Sequence, residues 1–347
     1  MSAMSEIKPI KAAVIGLGRA GWDIHIRRMR GHPEFQVTAV ADIEESRRKE
    51  AENEFHCATF TDYKSLLKSA DAEVIVVASQ SADHATMSIA ALQSGRHVIV
   101  EKPMATNVRD AQRMIAASKA ARRKLFVHQN YRYAPDSRHI MEVVRTGEPI
   151  GRVFEIRIRS LGFARRNDWQ TLKKYGGGVL NNTGPHLIDL ALQMLESPVK
   201  DQWSDMQLIT DAGDTEDHVK LLLRGKNGRV VDIEISTSCA FPEPKWTLLG
   251  SNGTLVSDGK VSKVKRYDPK KVQPLQVIET PPVNRRYGND DKLPWEEYEV
   301  PSVGTAAGDY YDNVVEVLRR GGKQEVLPEQ VLEVMKVIER AKKGTRF

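Results

Sequence analysis

Apolar positions follow two regimes along this chain. Up to residue 128, short runs that are apolar throughout alternate with longer stretches that are apolar on one side only. Lys11-Ala12-Ala13-Val14-Ile15 is such a run, and residues 35–41, 73–78, 97–100 and 125–128 are others. Strands buried on both faces read this way. Between them, residues 44–55, 63–68, 83–94 and 107–122 predict helices, with Thr61 or Asp62 placed to cap the second and Gly95 to stop the third. Strands alternating with helices predict a parallel, doubly wound sheet, an α/β unit over residues 8–128.

From about Gly151 the period changes. Glu155-Ile156-Arg157-Ile158-Arg159 alternates strictly, as a strand with one wet face does. Residues 206–210, 218–223, 229–238, 245–249 and 254–257 predict further strands, and Asn227-Gly228 and Asn252-Gly253 are hairpin signals. The expectation for residues 129–347 is an α+β unit with a large, mostly antiparallel open sheet and helices on one face. The other face is then either polar or buried against a second copy. Residues 269–301, rich in Pro, Arg and Asp, read as a long irregular segment. Residues 309–320 and 328–343 read as closing helices, the second with Pro328 in its first turn.

Composition narrows the function classes. A length of 347 residues suits two domains, at ~100–200 residues each. No apolar stretch approaches the ~20 residues of a membrane helix, and the first residues carry no export signal. The two cysteines, Cys57 and Cys239, support neither a disulfide framework nor a cysteine zinc site, so a reducing cytoplasm is expected. The formal charge of +6 is scattered, and its densest run, Lys119, Arg122, Arg123 and Lys124, ends a predicted helix, where cations favour the dipole. That argues against a nucleic-acid partner. No cluster has metal-ligand spacing, and His128 and His218 read as core or surface histidines.

Gly16-Leu17-Gly18-Arg19-Ala20-Gly21 follows the first strand at once and opens a helix-like stretch up to Gly31. This is G-x-G-x-x-G in its strand–turn–helix context, where the helix N-terminus offers free N–H groups to a pyrophosphate. Asp42 ends the next strand about 20 residues on, where an acid binds the adenosine ribose hydroxyls. Its charge repels a 2′-phosphate, so NAD is favoured over NADP, and Arg47 or Arg48 would weaken that preference by folding back. Glu101-Lys102-Pro103 directly follows the apolar run ending at Val100, at the sheet edge where such folds bind ligands. A lysine there can hold a phosphate, pair with Glu101 or move a proton.

With these motifs the chain resembles the Gfo/Idh/MocA oxidoreductases, the family of glucose–fructose oxidoreductase and inositol dehydrogenase. The resemblance rests on the glycine turn, Asp42, His84 before Gly95-Arg96-His97-Val98, Glu101-Lys102-Pro103, and Asn130-Tyr131-Arg132-Tyr133. It continues through Gly176-Gly177-Gly178 with Gly184, His186 and Asp189, and through the two closing helices. It implies an N-terminal Rossmann domain, a C-terminal domain with an open sheet, NAD(P)-dependent redox chemistry on sugars or polyols, and homodimers or homotetramers built through those sheets. Cofactor contacts are then expected from Gly16, Gly18, Arg19, Ala20, Gly21, Asp42, Ser79, His84, Glu101 and Lys102.

Oxidising a secondary alcohol requires a group to take the hydroxyl proton. Lys102 is the first candidate, since burial or a neighbouring positive charge lowers a lysine toward the useful range. His186 is the second: Gly184-Pro185 reads as a cap and first helical residue, and the positive helix end favours a neutral ring. Asp189 lies three residues on and is placed to orient that ring. Many members of the family carry aspartate four residues before this histidine, whereas this chain has Asn182 after Asn181. An amide cannot accept a proton, which shifts proton transfer to Lys102 and makes Asn182 a substrate positioner, unless the pair merely closes a turn. Tyr131, Arg132 and Trp169 are further substrate candidates. Arg165, Arg166 and Asp168 stand beside that tryptophan, and the arginines would suit an acidic sugar. The leading expectation is a sugar, inositol or polyol dehydrogenase or reductase with Lys102 and His186 as catalytic residues. The alternatives are a glycoside-cleaving enzyme using transient sugar oxidation and a non-catalytic dinucleotide or sugar sensor.

Overall fold

The computed structural model describes residues 8–277, 279–281, 291–304 and 308–347. Strands β1 (Ile10–Ile15), β2 (Phe35–Ala41), β3 (Ala58–Phe60), β4 (Val74–Val77), β5 (His97–Val100) and β6 (Leu125–Val127) form one sheet in the order β3-β2-β1-β4-β5-β6. All its pairs are parallel. Val74 to Val77 and Val98 to Val100 are fully buried, as strands covered by helices on both faces must be. β3 was not expected: its Ala58-Thr59-Phe60 is only half-buried at the sheet edge, too short and too polar to announce itself. The helices between the strands start where their caps stand. Asp62 Oδ1 accepts from Lys64 N and Ser65 N at 2.9 and 3.0 Å, and Asn107 Oδ1 from Asp110 N at 2.8 Å. The glycine turn runs into a seven-residue π-helix, Ala20–Ile26, continued by α-helix Arg27–Arg30.

The second sheet has eight strands, β7 (Val153–Leu161), β8 (Val199–Gln207), β9 (His218–Gly225), β10 (Val230–Ser236), β11 (Trp246–Gly250), β12 (Gly253–Ser257), β13 (Val261–Arg266) and β14 (Glu296–Pro301). Its order is β14-β13-β12-β11-β7-β10-β9-β8, and only β7 and β10 pair in parallel. The register separates the two faces. One row across the sheet runs Leu223, Val231, Ile156, Leu248, Leu255, Val264, all of them buried. The adjacent row runs Leu222, Asp232, Arg157, Thr247, Val256, Lys263 and faces away from the helices. On that outer face Arg159 pairs with Asp232 at 2.8 Å and Lys220 with Glu234 at 2.7 Å, with Trp203 54% exposed at one edge.

Three expectations for this half need correction. β8 begins at Val199 rather than at 206, because its first half carries polar residues on both faces. β13 and β14 were not expected, and residues 296–301 are a strand instead of the end of an irregular segment; residues 278 and 282–290 of that segment lie outside the described residues. Their pattern reads as charge because the pairing is made by charge: Lys263 meets Glu299 at 3.3 Å and Lys265 meets Glu297 at 3.4 Å across the two strands. Helix Pro135–Thr146 was also not expected, although Pro135 opens it and Gly147, at φ 77°, closes it.

Helix Tyr310–Arg319 carries a capping box between Asp309 and Asp312 and packs back on the first unit. Tyr311 Oη lies 2.6 Å from His25 Nδ1, and Arg319 grips Glu73 with two bonds of 2.7 Å. Helix Pro328–Lys342 lies on the inner face of the second sheet, where its Val337 and Ala341 carbonyls accept from Gln202 and Ser204. The carboxyl ends of β1, β4, β5 and β6 thus face the second unit. No described helix is long and apolar enough to cross a membrane.

Candidate active site

The glycine turn has the shape a dinucleotide pyrophosphate requires. Gly16 has φ 90°, and a Cβ on it would lie 2.7 Å from Ala78 O. A Cβ on Gly21 would strike Gly16 O, so the helix start packs against the turn itself. Over Gly18 the space is open, with no atom within 4 Å of where a Cβ would stand, so a ligand can approach the backbone there. Ala20 begins the helix and Arg19 stands exposed before it. Asp42 is buried at the tip of β2. Its Oδ2 accepts from Leu17 N at 2.6 Å and its Oδ1 from Glu44 N at 2.8 Å. Both arginines do fold back: Arg47 Nη1 lies 3.5 Å from Asp42 Oδ2, and Arg48 Nη1 donates to Asp42 O at 2.7 Å. The charge argument against a 2′-phosphate is weakened to that extent.

Ser79 lies across the turn, its backbone N 3.0 Å from the Gly16 Cβ position. His84 is buried between Ser79 and Pro103, its Nε2 3.1 Å from Ser79 O and its Nδ1 2.8 Å from Pro103 O. Expected as a cofactor ligand, it instead ties the end of β4 to the loop that carries Lys102. Burial holds its pKa below the usual histidine value.

Glu101 is likewise turned inward. Its Oε1 accepts from His128 Nδ1 at 2.8 Å and His25 Nε2 at 3.0 Å, and its Oε2 from Lys102 N at 3.0 Å. Burial alone would raise this carboxyl; His128 and His25 outweigh it and hold it well below the usual carboxylate range. The cluster of His25, Glu101 and His128 was not foreseen. His25 belongs to the first helix and His128 directly follows β6, and neither spacing suggests a partnership. Potential ligand atoms on all three lie within 4.8 Å of one another. The contacts are nevertheless of hydrogen-bond length, with three N–H groups on one carboxylate, which makes the cluster an anchor for Glu101.

Lys102 points the other way. Its Nζ donates to Asn182 O at 3.0 Å and to Asn182 Oδ1 at 3.2 Å. No bond joins it to Glu101 through the side chain, so the simple ion pair considered from sequence does not form. Burial lowers its pKa; Glu101 pulls it up and Arg19 pushes it down by smaller amounts. The Lys102–Pro103 peptide is cis.

Asn182 stands on the short helix Val179–Asn182, which follows the triglycine loop and meets helix Gly184–Leu195 at Thr183. The N-cap of that second helix is Thr183, one residue before the expected Gly184. Gly178, at φ 97°, leaves room where a Cβ would lie 2.2 Å from the Glu216 carboxylate. Glu216 Oε1 in turn accepts from Leu180 N at 3.0 Å, and burial raises its pKa. Turn closure falls to Asn181, and Asn182 makes a contact not expected for it. Asn181 Nδ2 closes the loop by donating to Gly176 O and Gly177 O at 3.1 and 2.9 Å, whereas Asn182 holds Lys102.

His186 lies four residues beyond Asn182. Its Nδ1 is 3.1 Å from Gln129 Oε1, and its ring stacks on Tyr131 at 4.0 Å between centroids, 9° from parallel. Burial, and then the Lys102 ammonium, lower its pKa to about 3. Asp189 does not orient this ring. It is fully engaged by Arg132, whose Nε and Nη2 donate to its two oxygens at 2.6 Å each. Arg132 also donates to Glu325 O and Gln330 Oε1, at 3.1 and 2.8 Å. Both residues are buried, so this pair locks the turn at Asn130–Tyr133 onto helix Gly184–Leu195 and is closed to a ligand; breaking one partner of such a pair costs about 3–5 kcal/mol. Trp169 is 43% exposed on the turn beside Gln170, whose Oε1 lies 3.5 Å from Asn182 Nδ2. Arg166 is spent on Asp168, at 2.7 Å. Gln129, which follows β6 at the same sheet edge as Lys102, was missed; its place two residues past a buried parallel strand was the available signal.

Lys102, Asn182, His186, Gln129 and Tyr131 thus meet where the glycine-turn edge of the first sheet faces the second unit. Residues 10–129 match the family model described as an oxidoreductase family with an NAD-binding Rossmann fold, and residues 137–256 match the GFO/IDH/MocA C-terminal domain. Among curated proteins, a myo-inositol 2-dehydrogenase of Thermotoga maritima is 27% identical over 256 residues, covering 72% of this chain and 75% of that one. Among solved structures, an NAD-binding protein of Listeria innocua superposes with TM-score 0.84 at 24% identity, over 97% of both chains. The WlbA dehydrogenase of Bordetella pertussis, solved with NADH and UDP-GlcNAcA, does so with TM-score 0.75 at 20% identity, over 96% of this chain and 95% of that one.

Proposed function

The chain belongs to the GFO/IDH/MocA oxidoreductases, with an NAD-binding Rossmann domain, and from that premise we propose that it interconverts a secondary hydroxyl and a ketone on a sugar, inositol or related polyol. Nicotinamide, when bound, accepts or returns the hydride. The glycine turn, with its open face at Gly18, and the Asp42 carboxylate are the groups that would hold the dinucleotide. Residues 8–128 form the cofactor half, and residues 129–347 supply the substrate wall, with helix Tyr310–Arg319 docked back on the first half.

The observation that carries this reading is the state of Lys102. Its Nζ reaches the carboxyl edge of the sheet, burial lowers its pKa, and its only hydrogen-bond partners among the described residues are two oxygens of Asn182. A lysine without a carboxylate partner can lose its proton and then take one from a substrate hydroxyl. In the reverse direction its ammonium polarises the ketone and donates the proton. His186 and Tyr131 line the same place, and Trp169 offers a ring for a sugar face. Homo-oligomers form, on this reading, through the outer face of the second sheet, whose Trp203 stands exposed beside Leu222. A monomeric mass by light scattering would remove that part.

The test is a screen of sugars, inositols and polyols for NADH absorbance, repeated with NADP. Steady NADH accumulation on at least one polyol is the expected result. A glycoside cleaved without NADH accumulation would replace this activity with hydrolysis by transient oxidation. Thermal stabilisation by ligand with no turnover of any kind would replace it with sensing.

A further inference from the structure

Two amide groups fix which nitrogen of His186 carries its proton. Gln129 Nε2 donates to Pro185 O at 3.2 Å. A backbone carbonyl only accepts, so this contact settles which end of the Gln129 amide is nitrogen. The other end, Oε1, faces His186 Nδ1 at 3.1 Å. An amide oxygen also only accepts, so Nδ1 must be the protonated nitrogen. The ring is neutral, because burial and Lys102 bring its pKa down to about 3. A neutral imidazole has one N–H, and here Nδ1 has it. Nε2 is therefore bare. No described residue bonds to Nε2, and it is not among the sealed polar atoms without partners, so it opens toward solvent. Tyr131, stacked on the ring 9° from parallel, prevents the imidazole from tipping out of this plane.

We propose that Gln129 is a positioning residue that locks His186 in the Nδ1–H tautomer, so that the site presents a fixed acceptor, His186 Nε2, four residues along the chain from Asn182, which holds Lys102. The inference rests on the reading of Lys102 and His186 as substrate groups and deepens it. The site then takes a substrate with a second free hydroxyl close to the reacting one, and that second hydroxyl donates to Nε2. A keto, ether or carboxylate oxygen at the same position meets a lone pair and is rejected. With Nδ1 committed to Gln129, His186 meets a substrate hydroxyl through Nε2 and holds it by accepting its hydrogen bond. The proton of the reacting hydroxyl goes to Lys102 in its neutral amine form.

Ring-labelled histidine NMR on the full chain without cofactor or substrate reads the tautomer directly, with the His186 signal assigned by its loss in His186→Asn. The wild-type ring should carry its proton on Nδ1. In Gln129→Leu the Nε2–H form should gain population. In Gln129→Glu the new carboxylate should raise the ring's pKa, so that the signal begins to titrate as the pH is lowered. A wild-type proton on Nε2, or a tautomer indifferent to Gln129→Leu, overturns the proposal. For a polyol that is turned over, methylating the hydroxyl next to the reacting one should lower kcat/KM about tenfold or more in the wild type, and less in Gln129→Leu. Equal losses in both overturn the acceptor role. Because the NMR arm needs no turnover, the expected tautomer in a protein that oxidises no polyol supports the lock and counts against the proposed activity alone.

Discussion

Glu101 and Lys102 share a peptide bond and point into opposite surroundings. The carboxylate turns inward, where His25, His128 and the Lys102 N–H leave it fully satisfied and strongly ionised. The lysine turns outward, where it finds only the neutral oxygens of Asn182. Had the two side chains met, each would have fixed the other's charge, and the lysine would be an ion-pair partner with a raised pKa. Separating them keeps the negative charge as a structural anchor under the loop and leaves the lysine's proton exchangeable. The same contrast holds for the histidines. Those at Glu101 donate to a carboxylate, whereas His186 donates to the neutral amide of Gln129, and burial, together with the nearby Lys102 ammonium, lowers its pKa to about 3.

The largest expected effect comes from removing the outward member. On the proposed chemistry Lys102→Ala lowers turnover by about 10²–10⁴, the usual contribution of a positioned acid–base group, with dinucleotide binding retained. Steady-state rates and cofactor titration of the variant decide this; near-normal turnover with intact cofactor binding would end the role assigned to Lys102.

Restoring a carboxylate beside the lysine should erase the contrast. For alcohol oxidation the useful form of Lys102 is the neutral amine, so the rate climbs as pH rises through its pKa. Burial holds that pKa down, and the climb lies correspondingly low. Asn182→Asp puts a negative charge where Asn182 Oδ1 now lies, 3.2 Å from Nζ. That stabilises the ammonium and moves the rising limb to higher pH by about 1–3 units. At neutral pH oxidation slows, while the reduction, which uses the ammonium, persists to higher pH. A profile that stays in place, or moves to lower pH, contradicts the amide-only environment.

Five of the six strands of the parallel sheet were readable in the sequence, because each of them is an apolar run between helix signals, whereas the half-buried edge strand β3 was not. His97–Val100 appears over the expected residues, and Asn107 and Arg122 cap the helix between them in the structure. The edge strands were not readable, since a strand paired through Lys263–Glu299 and Lys265–Glu297 looks like a polar loop. The position of Lys102 followed from the strand before it. Its partner did not, because Lys102 and Asn182 lie 80 residues apart and meet only when the two sheets face each other. The expected pairing of His186 with Asp189 failed for a related reason. A spacing of three residues places two side chains on one face of a helix but says nothing of a third group. Arg132, arriving from another element, takes both oxygens of Asp189. Gln129 carries no titration or ligand signature of its own, so its place just past β6 was the one sign of it as a site residue.

The smallest effect tests the inward side. Glu101→Gln removes the buried negative charge that raises the Lys102 pKa, so the rising limb of the oxidation profile should move to lower pH, opposite in sign to Asn182→Asp. The charge is not bonded to the lysine side chain, so the shift should be smaller, about one unit or less. The variant also turns an all-accepting carboxylate into an amide among the three N–H donors of His25, His128 and Lys102. At least one donor then faces another donor in the interior, at a cost of about 1–3 kcal/mol in folding stability. Thermal unfolding should register that loss, and the pH profile of the folded fraction should register the shift. A profile moving to higher pH would mean that Glu101 does not act on Lys102 through its charge, and that the loop geometry alone sets the lysine's proton affinity.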